Sequence, residues 1–315
     1  MHVGAILCLS GSFSSFQHQS RYSISCNSST TFGKIFKASN HINQDRNMRS
    51  DMFNFPVEIK QLEWPFNSDF DESEIHQLLN EFASKEERFE FYEFTRIGLG
   101  LSRPTIVLFL PSKGHFSIKA FAYPPPITLS LKKPPVNLAN YHQMRIQHLI
   151  HSLEEHFPET HILESKSRNM LMIFQKFLFY PICQFNTFQQ INQLVEILWL
   201  ASRARILLDF DQSNWLVSGL EFVYYADTDY IGHSYVDLDK CLFENLNQSL
   251  AFLTAENVKE LPQALKGFSE LSETHTKFIN RFKKVLKKII ESWDKSKLSE
   301  ENKQKYDIFT QIVQS

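Results

Sequence analysis

Four groups of residues, in a fixed order along this 315-residue chain, have the types and spacing to do chemistry. The first is Ile97-Gly98-Leu99-Gly100-Leu101-Ser102-Arg103. Two glycines one residue apart let the backbone turn sharply and approach a phosphate chain, with its N–H groups as donors. The same spacing also serves an ordinary turn leading into a strand. The second is Lys119, a single cation inside the apolar strand Phe116 to Phe121. Strand alternation sets it opposite Ile118, where it could equally face solvent. The third is Leu207-Leu208-Asp209-Phe210-Asp211-Gln212-Ser213-Asn214, in which a loop carboxylate precedes an amide by five residues. That interval can bring a base and a metal-binding oxygen to one side of a cleft. The fourth is Ala226-Asp227-Thr228-Asp229, a carboxylate pair emerging from an apolar strand. Such a pair suits a hard cation such as Mg²⁺, although Asp and Asn also favour plain turns.

These residues need elements to hold them. A helix is expected over residues 71 to 84, with Asp71, Glu72 and Glu74 at the positive end of its dipole and Ile75, Leu78, Leu79 and Phe82 forming one apolar stripe. The Gly98–Gly100 turn is placed between a helix and a strand. Strands are expected at Thr105 to Leu110 and Phe116 to Phe121, joined by Pro111-Ser112-Lys113-Gly114. Five of the twelve prolines fall between Pro124 and Pro135, an extended connection that neither a helix nor a central strand can occupy. A helix from Asn140 to Phe157 and strands at His161 to Glu164 and Asn169 to Phe174 follow. Beyond Pro181 the periodicity is helical over Phe188 to Arg205. A hairpin comes next, Trp215 to Val217 and Leu220 to Tyr225, turning at Ser218-Gly219. The last strong pattern, Thr276 to Trp293, sets Phe278, Ile279, Phe282, Val285, Leu286, Ile289, Ile290 and Trp293 on one face. Lys283, Lys284, Lys287 and Lys288 form a solvated face.

Composition narrows the function. With 33 basic against 35 acidic side chains and a pI near 6.6, no global field gathers nucleic acid, so a dedicated nucleic-acid binder is excluded. The four cysteines show no C-x-x-C spacing, which indicates neither a zinc site nor a disulfide framework. No apolar run reaches the ~18 residues of a membrane span, so a soluble, cytoplasmic protein is expected. Residues 1 to 44 hold ten Ser and no Asp or Glu. This is the composition of an organellar targeting segment, and equally of unselected sequence ahead of a later start at Met48 or Met52.

Taken together, the four groups resemble the protein-kinase-like superfamily, including its small-molecule phosphotransferases. Gly98 and Gly100 match the first two glycines of the Gly-rich loop, and Lys119 matches the strand lysine about twenty residues on. Asp209 and Asn214 match the catalytic loop at the family's interval, and Asp227 stands where the metal-binding Asp would. The resemblance covers roughly residues 90 to 240. It implies an α+β, bilobal fold with a β-rich N-lobe (residues 50–174) and a helical C-lobe (175–315), behind a disordered or targeting segment (1–49). It further implies ATP and Mg²⁺ as cofactors, with Gln175 to Leu178 as the hinge and Gln175 and Phe177 beside the adenine. Lys119 would contact the α- and β-phosphates, Asn214, Asp227 and Asp229 would serve the metal, and Asp209 would take the proton of a hydroxyl-bearing acceptor.

Several positions depart from the family pattern. Arg103 replaces the third loop glycine, Leu207-Leu208 replaces the His-Arg pair, and Thr228-Asp229 replaces Phe-Gly. No glutamate partner for Lys119 is evident: Gln147 or His148 falls near its place, with Glu154 and Glu155 about two turns later. These departures keep a second reading open, a pseudokinase that binds nucleotide as a scaffold.

Overall fold

Alternating burial builds the first half of the chain. In the computed structural model, residues 57–66, 70–83, 87–96, 105–122, 138–165, 170–178, 180–181, 185–211, 214–218, 221–227 and 237–315 are described; Gly98, Gly100 and Asp229 lie outside them. Strands β1 (Val57–Leu62), β2 (Glu90–Arg96), β3 (Thr105–Leu110), β4 (Gly114–Ala122), β5 (Thr160–Glu164) and β6 (Met170–Lys176) form an antiparallel sheet in the order β1-β2-β3-β4-β6-β5. Helix α1 (Glu72–Ala83) covers one face. Its Ile75, Leu78, Leu79 and Phe82 pack on Phe91, Leu108, Leu110, Phe116, Ile118, Met172 and Phe174, and the Phe82 ring lies flat on Phe174 at 4.0 Å between centroids.

The segment ahead of the Gly98–Gly100 turn is strand β2, where a helix was expected. Phe91 faces the α1 side while Phe94 packs on Val107 and Phe177 across the sheet, so the pattern repeats every two residues. Strands β2 and β3 on either side of residues 97–104 are antiparallel neighbours, paired as far as Phe94 and Thr105. The β3–β4 connection falls at the expected punctuation. Gly114 has φ +92°, and a Cβ there would stand 3.3 Å from the Lys176 ammonium. Few residues other than glycine accept that backbone.

Helix α2 (Leu138–Leu153) is bracketed in sequence by β4 and β5, yet its Ile146, Leu149 and Leu153 belong to the helical core of the second half. A single helical turn, Glu154–His156, ends it. Strand β6 is the wall shared by both cores. Phe174 points into the sheet–α1 core and its neighbour Ile173 into the helical one, which is why six consecutive residues there are buried.

Helix α3 (Phe188–Ala204) is capped by the Thr187 hydroxyl, which accepts from the Gln190 N–H, and runs through the centre of the second half. A small sheet of β7 (Tyr180–Pro181), β8 (Trp215–Ser218) and β9 (Phe222–Tyr225) lies beside it. Helices α4 (Leu238–Phe252), α5 (Ala255–Val258), α6 (Leu261–Ser269), α7 (Glu273–Glu291) and α8 (Glu300–Gln314) complete it. On α7 seven of the eight apolar residues anticipated above are buried, while Trp293 falls past the end of the helix and is half-buried. The chain thus has a β-sheet region followed by a helical region, the α+β arrangement expected, and Ser50–Ser315 forms one compact unit. No helix among the described residues is long and apolar enough to cross a membrane.

Candidate active site

The Asp209 loop is shaped first by its own alternation. In Ile206-Leu207-Leu208-Asp209-Phe210-Asp211, the residues Ile206, Leu208 and Phe210 are buried in the helical core. Between and beyond them Asp209 is half-buried and Asp211 exposed, and the Asp209 carboxylate accepts from the Asp211 N–H at 3.0 Å. The loop begins at a left-handed stop to α3. Arg205 has φ +59°, its N–H donates to the Ser202 carbonyl, and the Ile206 N–H donates to the Ala201 carbonyl at 2.8 Å. This is the paired bonding of a helix end closed by a left-handed residue.

Two elements then fix the loop. From α4, Asn245 is fully buried; its Oδ1 accepts from the Leu208 N–H and its Nδ2 donates to the Ile206 carbonyl, both at 2.8 Å. Cys241, one turn earlier, donates its thiol proton to that same carbonyl at 3.2 Å, and burial pushes the thiol up to about 11. From β8, the buried Trp215 indole N–H donates to the Asp209 carbonyl at 3.1 Å, and its ring stacks on Phe210.

Tyr225, at the end of β9, closes the arrangement. Its phenol oxygen accepts from the Asp209 N–H at 3.0 Å, and its O–H donates to the Asp227 carboxylate at 3.4 Å. The Ala226 N–H donates to the Asn214 carbonyl at 2.8 Å, and the Asn214 N–H to the Asp211 carbonyl at 3.0 Å. Asp209, Asn214 and Asp227, eighteen residues apart at their extremes, are thereby gathered at one end of the β8–β9 hairpin. Tyr225 and Asn245 do this positioning, and neither was singled out by sequence. The signal available for Tyr225 was a phenol two residues before the metal-type Asp; for Asn245 it was a polar residue on the apolar stripe of a helix.

Lys119 lies on β4 with Ile173 of β6 as its register partner. Alternation puts it on the sheet face opposite Ile118, and that is the face from which Ile173 enters the helical core. The strand does not turn it to the α1 side. Helix α2 contains no Asp or Glu anywhere, so no carboxylate from that helix can pair with it. Gln147 and His148 are exposed on α2, with His148 Nε2 3.1 Å from the Ala204 carbonyl.

Gln175 remains within β6, paired with Ser117 and Thr160, so only Phe177 and Leu178 of the expected hinge lie beyond the strand. Its side chain is buried, and its Nε2 has no hydrogen-bond partner among the described residues. The Phe177 N–H donates to the His115 carbonyl at 3.0 Å.

With this geometry in place, comparison with known proteins adds little. No protein-family model and no curated protein matches the chain. Among solved structures, the chain is similar to the Legionella pneumophila kinase Lpg2603 bound to IP6, at 14% identity and a TM-score of 0.29. That match covers 73% of this chain and 93% of the Legionella one.

Proposed function

We propose that the chain is an ATP-dependent phosphotransferase that moves the γ-phosphoryl group to a hydroxyl of a protein or small-molecule acceptor. The observation that carries this reading is the Tyr225 phenol held between the Asp209 N–H and the Asp227 carboxylate, with Asn214 bonded backbone-to-backbone beside them. It puts a candidate base and two oxygen donors at one end of one hairpin. Carboxylate and amide oxygens are the donor set that suits Mg²⁺, so Asp227 and Asn214 fit that ion, with Asp229 as a further donor. The buried, unpartnered Nε2 of Gln175 fits a polar group of a nucleotide against the sheet. The proposed division into residues 50–174 and 175–315 sets the nucleotide between the two parts, with Phe177 at the hinge.

Bound Mg²⁺ would neutralise charge on the phosphate oxygens. The chain's own residues do the rest. The Gly98–Gly100 backbone donates N–H groups to the phosphates and the Lys119 ammonium contacts the α and β groups. Asp209 orients the acceptor hydroxyl and takes its proton as oxygen bonds to the γ-phosphorus and ADP departs. Purified full-length chain should release ADP from Mg-ATP, and γ-labelled ATP mixed with fractionated cell extract should pass label to an acceptor. Asp227→Asn should remove the metal dependence. No thermal or catalytic response to ATP with any divalent ion would sink the reading.

A second reading is a nucleotide-binding pseudokinase scaffold. It is favoured by Arg103 in place of the third loop glycine and Leu207-Leu208 in place of the His-Arg pair. ATP binding without turnover across protein, lipid and sugar-alcohol acceptors would select it.

A further inference from the structure

A second cluster of ligating side chains stands apart from the Asp209 loop. His156, at the end of the turn that follows α2, is 1% exposed, and its ring stacks on Phe222 of β9. Its Nδ1 lies 3.0 Å from the Val223 carbonyl. A carbonyl can only accept, so Nδ1 carries the proton and a neutral ring presents a bare lone pair at Nε2. That Nε2 is buried, has no hydrogen-bond partner among the described residues, and points at Glu196 of α3, whose Oε2 lies 3.4 Å away. One ligand atom each from Glu155, His156 and Glu196 falls within 4.8 Å of the others.

A lone pair aimed at a carboxylate from 3.4 Å is repulsive unless a cation, either a proton on Nε2 or a metal ion, lies between them. Two ligands bonded at about 2.1 Å to a tetrahedral ion stand roughly 3.4 Å apart, so the observed separation is the edge of such a site. The backbone carbonyl on the other ring nitrogen is the partner that metal-bound imidazoles characteristically have. We propose that Glu155, His156 and Glu196 form a site for a divalent transition-metal ion of the zinc class, with its remaining coordination open to water. One imidazole with two carboxylates suits zinc better than it suits Mg²⁺ or Ca²⁺, which take oxygen. The site ties the end of α2 to α3 and, through Val223, to the strand that leads to Asp227. It is independent of the phosphotransferase reading and would stand if that reading failed.

Equilibrium dialysis of the metal-stripped full chain against Zn²⁺, alongside thermal denaturation, tests it without ATP. Because residues 1–49 and other surface groups can also take up zinc, the comparison is with Glu196→Gln, which keeps the shape of a half-exposed side chain and removes its charge. The wild type should bind one Zn²⁺ per chain about ten- to a hundredfold more tightly than Glu196→Gln or Glu155→Gln. Its melting temperature should rise with Zn²⁺ where theirs does not. Equal zinc affinity in wild type and Glu196→Gln overturns the proposal. So does a wild type that takes up no zinc, which would leave His156 and Glu196 as a proton-linked ion pair.

Discussion

Asn245 shows how much a single side chain decides around Asp209. It satisfies the Leu208 N–H and shares the Ile206 carbonyl with the Cys241 thiol, all in the buried core. Replacing it with Ala orphans a buried amide N–H, at a cost of about 1–3 kcal/mol. Urea denaturation of Asn245→Ala should therefore show a lower midpoint than wild type, and on the proposed phosphotransferase reading ADP release should fall with it because the segment that holds Asp209 loosens. A midpoint within error of wild type would mean that the loop holds itself. Asp209, Asn214 and Asp227 could be named as candidates from the sequence because side-chain chemistry and interval are one-dimensional facts. Tyr225 and Asn245 could not, since what matters about them is which backbone groups they meet across sixteen and thirty-seven residues.

The helix end before this loop is built on a residue that does not suit it. Arg205 closes α3 in the left-handed region, where a Cβ is strained and glycine is the usual occupant. Arg205→Gly should stabilise the chain by about 0.5–1 kcal/mol, read as a small rise in the denaturation midpoint; a fall would show that the arginine side chain contributes more than its backbone costs. The β8–β9 hairpin is anchored to the same helix from its other side. Gln193 accepts from the Val223 N–H at 2.8 Å and donates to the Glu221 carbonyl, and Thr187 donates to the Glu221 carboxylate. The element boundaries themselves followed from periodicity: α3 and the hairpin fall within a residue or two of expectation. Strands β1 and β2 did not, because β1 alternates weakly between charged and apolar residues and β2 buries aromatic rings on both of its faces.

Across the whole molecule, β6 is the wall that two cores share, and β2, one strand in from the sheet's edge, carries a group that responds to pH. Tyr92 on β2 donates to the Glu90 carboxylate at 2.7 Å, and partial burial together with that neighbour pushes its phenol from 10.0 up to about 12. The folded state thus holds a proton that the unfolded chain releases. Its contribution is complete below pH 10 and is lost as the pH climbs toward 12. Alkaline denaturation should show wild type losing stability over that window more steeply than Tyr92→Phe; parallel curves would show the phenol to be uncoupled from folding. The sequence by itself determined the order of elements from β3 to β6, helix α3 and the β8–β9 hairpin, the buried faces of α1, α3 and α7, and the residue types proposed to meet a phosphoryl group, since each rests on spacing within one element. Only the tertiary structure decided that Lys119 shares its sheet face with Ile173, that α2 joins the helical core without a carboxylate to offer, and that His156 meets Glu196. Those are contacts between elements far apart in the chain, fixed by how two cores close on one strand, and no local periodicity encodes them.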